Sequence, residues 1–226
     1  MQKAAGWAVA IVCPVMILAL YLNFLGAPDD AVLGPSQRIF YIHMGAAVTA
    51  AVAFTVTFAA SLAYLATRRQ RWDVLAAASA EVGIVFTAMV LVTGILWGRV
   101  AWGVWWTWDP RLTTTLMLWA LYGGYLIVRD AVDNSDRRAR ISAVLALVAY
   151  VDVPLDYMTI RWWNSVHPLV ITNHGLAVAP SMAVAMFMSM AAMLGVYGVW
   201  LALRMRLMAV ELGIEEAKAV WQNRGI

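Results

Sequence analysis

Apolar residues fall along this chain in blocks rather than in stripes. Near residues 5–25, 39–66, 74–97, 113–129, 140–156 and 178–203 the sequence is dominated by Ala, Val, Leu, Ile, Met and aromatic residues. A block of roughly 20 such residues can cross a bilayer as one helix and is apolar on too many sides to cover a soluble core. The pattern predicts an all-α integral membrane protein of six transmembrane helices, each bounded by Gly, Pro or a charge cluster. The second block is longer than one bilayer crossing needs. Its first turns, Tyr41 to Gly45, therefore either project beyond the hydrocarbon or belong to a tilted helix, which puts His43 near an interface. The first block follows Lys3 and carries no small-residue cleavage pattern, so it reads as a retained helix rather than a signal peptide.

Composition agrees with the pattern: of 226 residues, 63% are hydrophobic and only 13% charged. That places the chain among polytopic proteins whose partner is membrane lipid, and away from nucleic-acid binding. The formal net charge of +3 matters less than where the charges lie. Lys3, then Arg68, Arg69 and Arg71, then Arg137, Arg138 and Arg140, then Arg204 and Arg206 all fall on one side of the predicted topology. The other side holds Arg38, Arg99, Arg111 and Arg161. By the positive-inside rule both termini are cytoplasmic and the loop between helices 3 and 4 is external. The chain divides into one six-span membrane domain, 1–206, and a short cytoplasmic tail, 207–226, read as an amphipathic helix. Cys13 is the only cysteine, which removes intrachain disulfide, thiolate-metal and Cys-x-x-Cys chemistry.

The external loop carries the densest signal. Five of the twelve tryptophans, Trp97, Trp102, Trp105, Trp106 and Trp108, lie within twelve residues, followed by Asp109-Pro110-Arg111. A membrane-edge belt uses scattered tryptophans, one or two per helix end. A Trp-Trp-x-Trp-Asp cluster with interleaved cations suits a large planar apolar ligand with anionic substituents. His43, His167 and His174 all lie on this side. His43 follows Arg38 by five residues, and His167 ends a second aromatic segment, Trp162-Trp163-Asn164-Ser165-Val166-His167. Two imidazoles from separate segments flanking an aromatic platform suit axial ligation of haem iron, with Arg38 and Arg111 reaching the propionates. His174, in a turn-like Asn173-His174-Gly175, is the weaker ligand candidate. Asp109 either caps the fourth helix or pairs with Arg111, and in doing so orients the aromatic loop. Glu81 inside the third span is either functional or a protonated partner for a neighbouring helix. Asp152 and Asp156, one turn apart around Pro154, are either solvated or support His167.

Three blocks, Arg38-Ile39-Phe40-Tyr41-Ile42-His43, Trp97-Gly98-Arg99 through Trp108-Asp109-Pro110-Arg111-Leu112-Thr113, and Trp162-Trp163-Asn164-Ser165-Val166-His167, occur in this order between and around the six spans. In these blocks the chain closely resembles the haem exporter protein C (CcmC) family of bacterial cytochrome c maturation, haem-handling proteins named for a Trp-Trp-Asp motif. The resemblance covers nearly the whole chain. It implies six helices in the bacterial inner membrane, cytoplasmic termini, and haem b held at the periplasmic face by two histidines that fall on His43 and His167. Arg38 and Arg111 also match the family pattern. Implied partners are a haem chaperone (CcmE-like), ABC-type subunits (CcmA/CcmB-like) and a small single-span protein (CcmD-like). Two departures stand out: Met44-Gly45 follows His43 where the family has Val-Pro, and Pro168 follows His167 where it has Gln. With His174 seven residues beyond His167, a ligand switch between the two stays open.

The reading that follows is a haem-binding delivery protein without catalytic residues of its own, since orientation and axial ligation are what the chain supplies and the covalent bond forms on the partner. A haem-attaching synthase of the same motif family is the rival, weakened because the chain lacks the additional spans and large external domain of that relative. A bis-His electron-transfer cytochrome would place its histidines within spans, and none lies there.

Overall fold

The computed structural model describes residues 2–163, 165–173 and 175–223. Helix α1 covers Gln2–Tyr21 and continues as one π-helical turn, Leu22–Gly26. A 3-10 turn, Pro35–Gln37, leads into α2, Arg38–Thr67. Arg68 takes a left-handed conformation (φ 56°) and reverses the chain into α3, Gln70–Trp102. Then follow α4, Pro110–Asp130, α5, Ser135–Tyr150, and α6, Asp152–Trp162. A two-residue antiparallel hairpin, β1 Ile171–Thr172 with β2 Gly175–Leu176, precedes α7, Pro180–Asn223.

These elements make six antiparallel passes, with α5 and α6 forming one pass between them. Five passes are long and apolar enough to cross a membrane: Gly6–Gly26, Pro35–Thr67, Gln70–Trp102, Ser135–Trp162 and Pro180–Ile214. The remaining pass is α4, 21 residues long and enriched in Thr, Tyr and Gly. It contributes Leu118, Tyr122 and Tyr125 to the principal core. The chain is therefore an all-α, multi-pass membrane protein.

Three boundaries differ from the sequence expectation, each for a local reason. The third helix does not stop at Trp97; it runs to Trp102 and ends where Gly103 adopts φ 76°. Gly98 lies inside it because a Cβ there would meet the Trp102 ring at 3.2 Å. The fifth pass is broken at Val151, since Pro154 has no N–H for the Tyr150 carbonyl and its ring crowds that oxygen. Finally, α7 continues unbroken past Arg206 to Asn223.

Small residues let the passes approach closely, as expected where lipid offers helices no hydrophobic reason to associate. Ala46, Ala50 and Ala53 of α2 pack with Ala80 and Val82 of α3 around Phe54. The Phe54 ring stacks on Tyr122 with centroids 3.7 Å apart. Polar side chains between the passes bond across them, because an unsatisfied group in hydrocarbon costs several kcal/mol, roughly. Asn23 and Ser189 exchange hydrogen bonds of 2.7 and 3.0 Å, joining the end of α1's pass to α7. The Ser79 hydroxyl lies 2.7 Å from the Ala53 carbonyl and 2.8 Å from the Tyr197 hydroxyl. Glu81 bonds to a neighbouring helix, through a forked contact from the Arg204 guanidinium of α7. At the same end Asp73 receives two hydrogen bonds from Arg129, at 2.6 and 2.7 Å.

Gly45, next to His43, lies against α7. A Cβ there would sit 2.8 Å from Met193 Sδ and 3.0 Å from the Ser189 backbone oxygen. Methionine can move but a helix backbone cannot, so Gly45→Ala is expected to destabilise the protein by roughly 1–3 kcal/mol through overpacking. Gly124→Ala, where nothing lies within 4 Å, is expected to be neutral or slightly stabilising because alanine is the better helix former. Thermal unfolding of both variants in detergent measures the contrast.

Candidate functional site

At the end of the bundle carrying the Trp-rich loop, α2, α3, α4, α6 and α7 surround a cavity of about 600 Å³. It is lined by His43, Trp97, Arg111, Asp156, Arg161 and His167 together with apolar groups such as Ala47, Leu118 and Met190. The volume falls within the roughly 300–1,000 Å³ typical of cofactor-sized sites.

His43 projects from the second turn of α2. Its Nδ1 lies 3.0 Å from Thr93 Oγ1 on α3. The Thr93 hydroxyl already donates to the Met89 carbonyl at 2.6 Å, so toward the imidazole its oxygen can only accept. Nδ1 therefore carries the proton, and Nε2 keeps its lone pair. Gly94 leaves room for the ring, since a Cβ there would lie 3.3 Å from His43 Cε1.

His167 is held differently. Its Nδ1 lies 3.3 Å from Asp109 Oδ1 and 3.5 Å from Ser165 Oγ. A carboxylate only accepts, so Nδ1 is again the protonated nitrogen and Nε2 is again left over. The Trp102 ring meets this imidazole edge-on at 5.1 Å and contacts Trp97 edge-on at 5.4 Å, and Trp97 in turn lies 6.3 Å from Phe40. Burial holds the His167 pKa below the ordinary 6.5, Arg111 pushes in the same direction, and the opposing pull of Asp109 does not overcome them. The imidazole is consequently neutral at neutral pH.

Asp109 organises the whole corner. It is the N-cap of α4, accepting from the Arg111 N–H at 3.0 Å, with Pro110 at the first helical position. It also accepts from the Ser165 hydroxyl at 3.0 Å and the Val166 N–H at 2.9 Å. Burial acts to raise its pKa, but these hydrogen bonds and the nearby His167 favour the anion more strongly and hold it below the usual 3.8. Of the two roles open to it from sequence, capping is the one found. The Arg111 side chain pairs with Asp156 instead, at 3.6 Å. Asp156 also accepts from Thr114 and Thr115 at 2.8 and 2.9 Å, so it braces α6 against α4 and holds Arg111 rather than being solvated or bonding His167. Asp152 is buried, and no partner for its Oδ2 is found among the described residues.

The remaining sequence candidates are distributed unevenly. Trp97 lines the cavity, and its buried Nε1–H has no hydrogen-bond partner among the described residues. Trp105 and Trp108 are 58% and 76% exposed on the loop, with Arg99 over the Trp105 ring and Trp106 edge-on to Trp108. Arg38 pairs with Asp29 at 2.9 Å and does not line the cavity. His174 lies outside the described residues. Arg161, which lines the cavity and packs over Tyr157 at 4.6 Å, was legible in the sequence only as one of four cations on this side. Thr93, Gly94 and Ser165 carried no signal of their own there.

Residues 1–222 match the model of the family described as heme exporter protein C (CcmC). The chain is 39% identical over 161 residues to heme exporter protein C of Bradyrhizobium diazoefficiens, covering 71% of this chain and 61% of that one. It is 32% identical over 171 residues to heme exporter protein C of Escherichia coli K12, covering 74% and 70%. A putative cytochrome c biosynthesis ccmC-like mitochondrial protein of Marchantia polymorpha is 29% identical over 190 residues, covering 84% and 81%. The match to the Bradyrhizobium protein thus spans about three-fifths of that relative's length.

The capping geometry makes a stability prediction. Asp109→Ala removes the α4 cap and the anchor of residues 165–167 together. A loss of roughly 1–2 kcal/mol is expected from the cap alone, with faster proteolysis in segment 163–173. Because Asp109's pKa is lower folded than unfolded, its contribution is present above pH 3.8 and is lost as pH falls through the folded value. Thermal melts of the wild type against Asp109→Asn between pH 3 and 7 should converge toward the acid end.

Proposed function

Since this chain belongs to the heme exporter protein C family, we propose that it is a membrane haem-handling protein that binds haem b as cargo between His43 and His167 and delivers it for c-type cytochrome biogenesis. One observation carries this reading. Two imidazoles from distant segments line one cavity, and each has Nδ1 engaged by a neighbour so that Nε2 is the nitrogen left to bind metal. Among the described residues no cluster of three or more His, Cys, Asp or Glu is placed to hold a bare ion. Two imidazoles suit iron whose equatorial positions are already filled by a porphyrin. The cavity fits such a ligand chemically: mostly apolar, cationic through Arg111 and Arg161, with the unpartnered Trp97 N–H as a further donor.

In this reading Arg111, which lines the cavity, meets one propionate, and Arg38, which pairs with Asp29 outside it, meets the other only by exchanging that carboxylate for it; Trp102, Trp105, Trp106 and Trp108 with Asp109 form and orient the aromatic surface beside them. The chain supplies ligation and orientation and performs no chemistry on the haem; a CcmE-like chaperone takes the cargo, in the company of CcmA/CcmB-like ABC subunits and a CcmD-like single-span protein. The Arg-rich end, with both termini, faces the cytoplasm and the Trp-rich end the periplasm of a bacterial inner membrane. The membrane domain occupies 1–206 and the tail 207–226.

Purified His43→Ala and His167→Ala variants are each expected to lose haem or to lose the low-spin absorption of a six-coordinate iron, with His174→Ala affected less. If either of the first two keeps the wild-type low-spin spectrum, that ligand assignment is wrong.

Arginine contacts to propionates are tested by titrating haem and its dimethyl ester into Arg111→Gln and Arg38→Gln. A partly dehydrated charge-assisted contact is worth about 1–3 kcal/mol, so each substitution should weaken haem binding about tenfold to a hundredfold while leaving ester binding unchanged. Equal affinity of the wild type for both ligands, with no loss in either variant, removes the propionate role.

A further inference from the structure

The two histidines reach the cavity with different neighbours, and the difference is chemical. His167 directs Nδ1–H at the anionic Asp109, 3.3 Å away. His43 faces only neutral oxygens: its Nδ1 lies 3.0 Å from Thr93 Oγ1, whose own proton is committed to the Met89 carbonyl at 2.6 Å, and the ring also hydrogen-bonds the Val90 backbone carbonyl. A carboxylate partner draws the imidazole toward imidazolate character and raises its basicity at Nε2. A hydroxyl fixes the tautomer but adds little charge. Gly94, the next residue on α3, admits the His43 ring edge, since a Cβ there would stand 3.3 Å from Cε1 and 3.7 Å from Nδ1.

We propose that Thr93 is the positioning residue for His43: it accepts the Nδ1 proton, presents Nε2 to the cavity and makes His43 the weaker of two unequal iron donors, with Gly94 leaving the space that the ring occupies. The inference rests on the haem reading above. Within that reading it assigns each ligand its own supporting group, Thr93 on α3 for His43 and Asp109 at the α4 N-cap for His167. Neither group touches the iron. Each acts through the ring it holds.

The test uses full-length protein loaded with haem. Thr93→Val keeps the shape of the side chain and removes the hydroxyl acceptor, leaving only the Val90 backbone carbonyl; Thr93→Ser keeps the hydroxyl and loses a methyl. Thr93→Val is expected to raise the high-spin fraction of ferric haem at least severalfold and to move the iron midpoint potential upward, because a weaker donor favours the ferrous state. Millimolar imidazole should restore the low-spin spectrum in Thr93→Val, and Thr93→Ser should match the wild type throughout. Thermal melts of the haem-free variants separate loss of folding from loss of ligation. His43→Ala is the control for the underlying reading: if it keeps a low-spin spectrum, His43 is no ligand and the haem site itself is misassigned. If His43→Ala loses that spectrum while Thr93→Val retains the wild-type spectrum and potential, the positioning role of Thr93 is overturned. That role is equally overturned if Thr93→Ser fails as Thr93→Val does, since the hydroxyl would then not be the operative group.

Discussion

One carboxylate sets the geometry at the cavity end of this bundle. Asp109 is at once the cap of α4, the acceptor for Ser165 and for the Val166 backbone, and the neighbour of His167 Nδ1. Among the described residues, those between α6 and the hairpin make few hydrogen bonds to one another. Their register relative to the helices is instead set by the oxygens of a side chain that begins another helix. Because those oxygens are satisfied by several donors, the charge is stable where it lies, and because they only accept, the proton on His167 is confined to Nδ1. The loop's path and the chemistry of the imidazole thus have the same origin.

A second constraint positions the opposite wall. Pro154 interrupts the hydrogen-bond ladder of the fifth pass, and on α6 Asp156 meets Thr114, Thr115 and Arg111 of α4. The backbone hydrogen bond given up at the proline is accompanied by these polar contacts between α6 and α4. Arg111 is left lining the cavity with a carboxylate at its back, an arrangement that fixes the guanidinium without removing its remaining donors.

The helices carrying His43 and Thr93 are joined through small residues and back-bonded hydroxyls rather than through charge. Gly45, Gly83 and Gly94 bring backbones and rings within contact distances that a methyl group would obstruct. Thr49 and Thr87 return their protons to the carbonyl four residues earlier, and Thr57 does the same while also reaching the Ala76 carbonyl of α3 at 3.4 Å. Charged groups are placed where water or another charge is near. Asp73 with Arg129 and Glu81 with Arg204 lie toward the Arg-rich end, while Asp109, Arg111 and Asp156 lie toward the other. Between those ends α2 carries no Asp, Glu, Lys or Arg from Ile39 to Thr67, and α3 none from Val82 to Gly98.

Local sequence determined the number of passes, because a bilayer demands long apolar blocks and such blocks need no tertiary context to be read. It also determined the identity of the cation-bearing end and singled out His43, His167 and Trp97, which line the cavity, since rare residues clustered in an apolar chain are visible in one dimension; that Trp102, Trp105, Trp106 and Trp108 do not line it was decided by the fold. Helix ends were less legible. Trp97 to Trp102 continue α3 because Gly103, not Gly98, takes the left-handed conformation, and a glycine's letter does not say which φ it will adopt. Partnerships were not legible at all. That Asp109 holds His167 while Asp156 holds Arg111, that Arg38 turns to Asp29, and that Thr93 stands behind His43 are contacts between residues 9 to 58 positions apart. They exist only because the helices cross at particular angles and heights, and those are set by the fit of glycine, alanine and aromatic side chains across several interfaces at once.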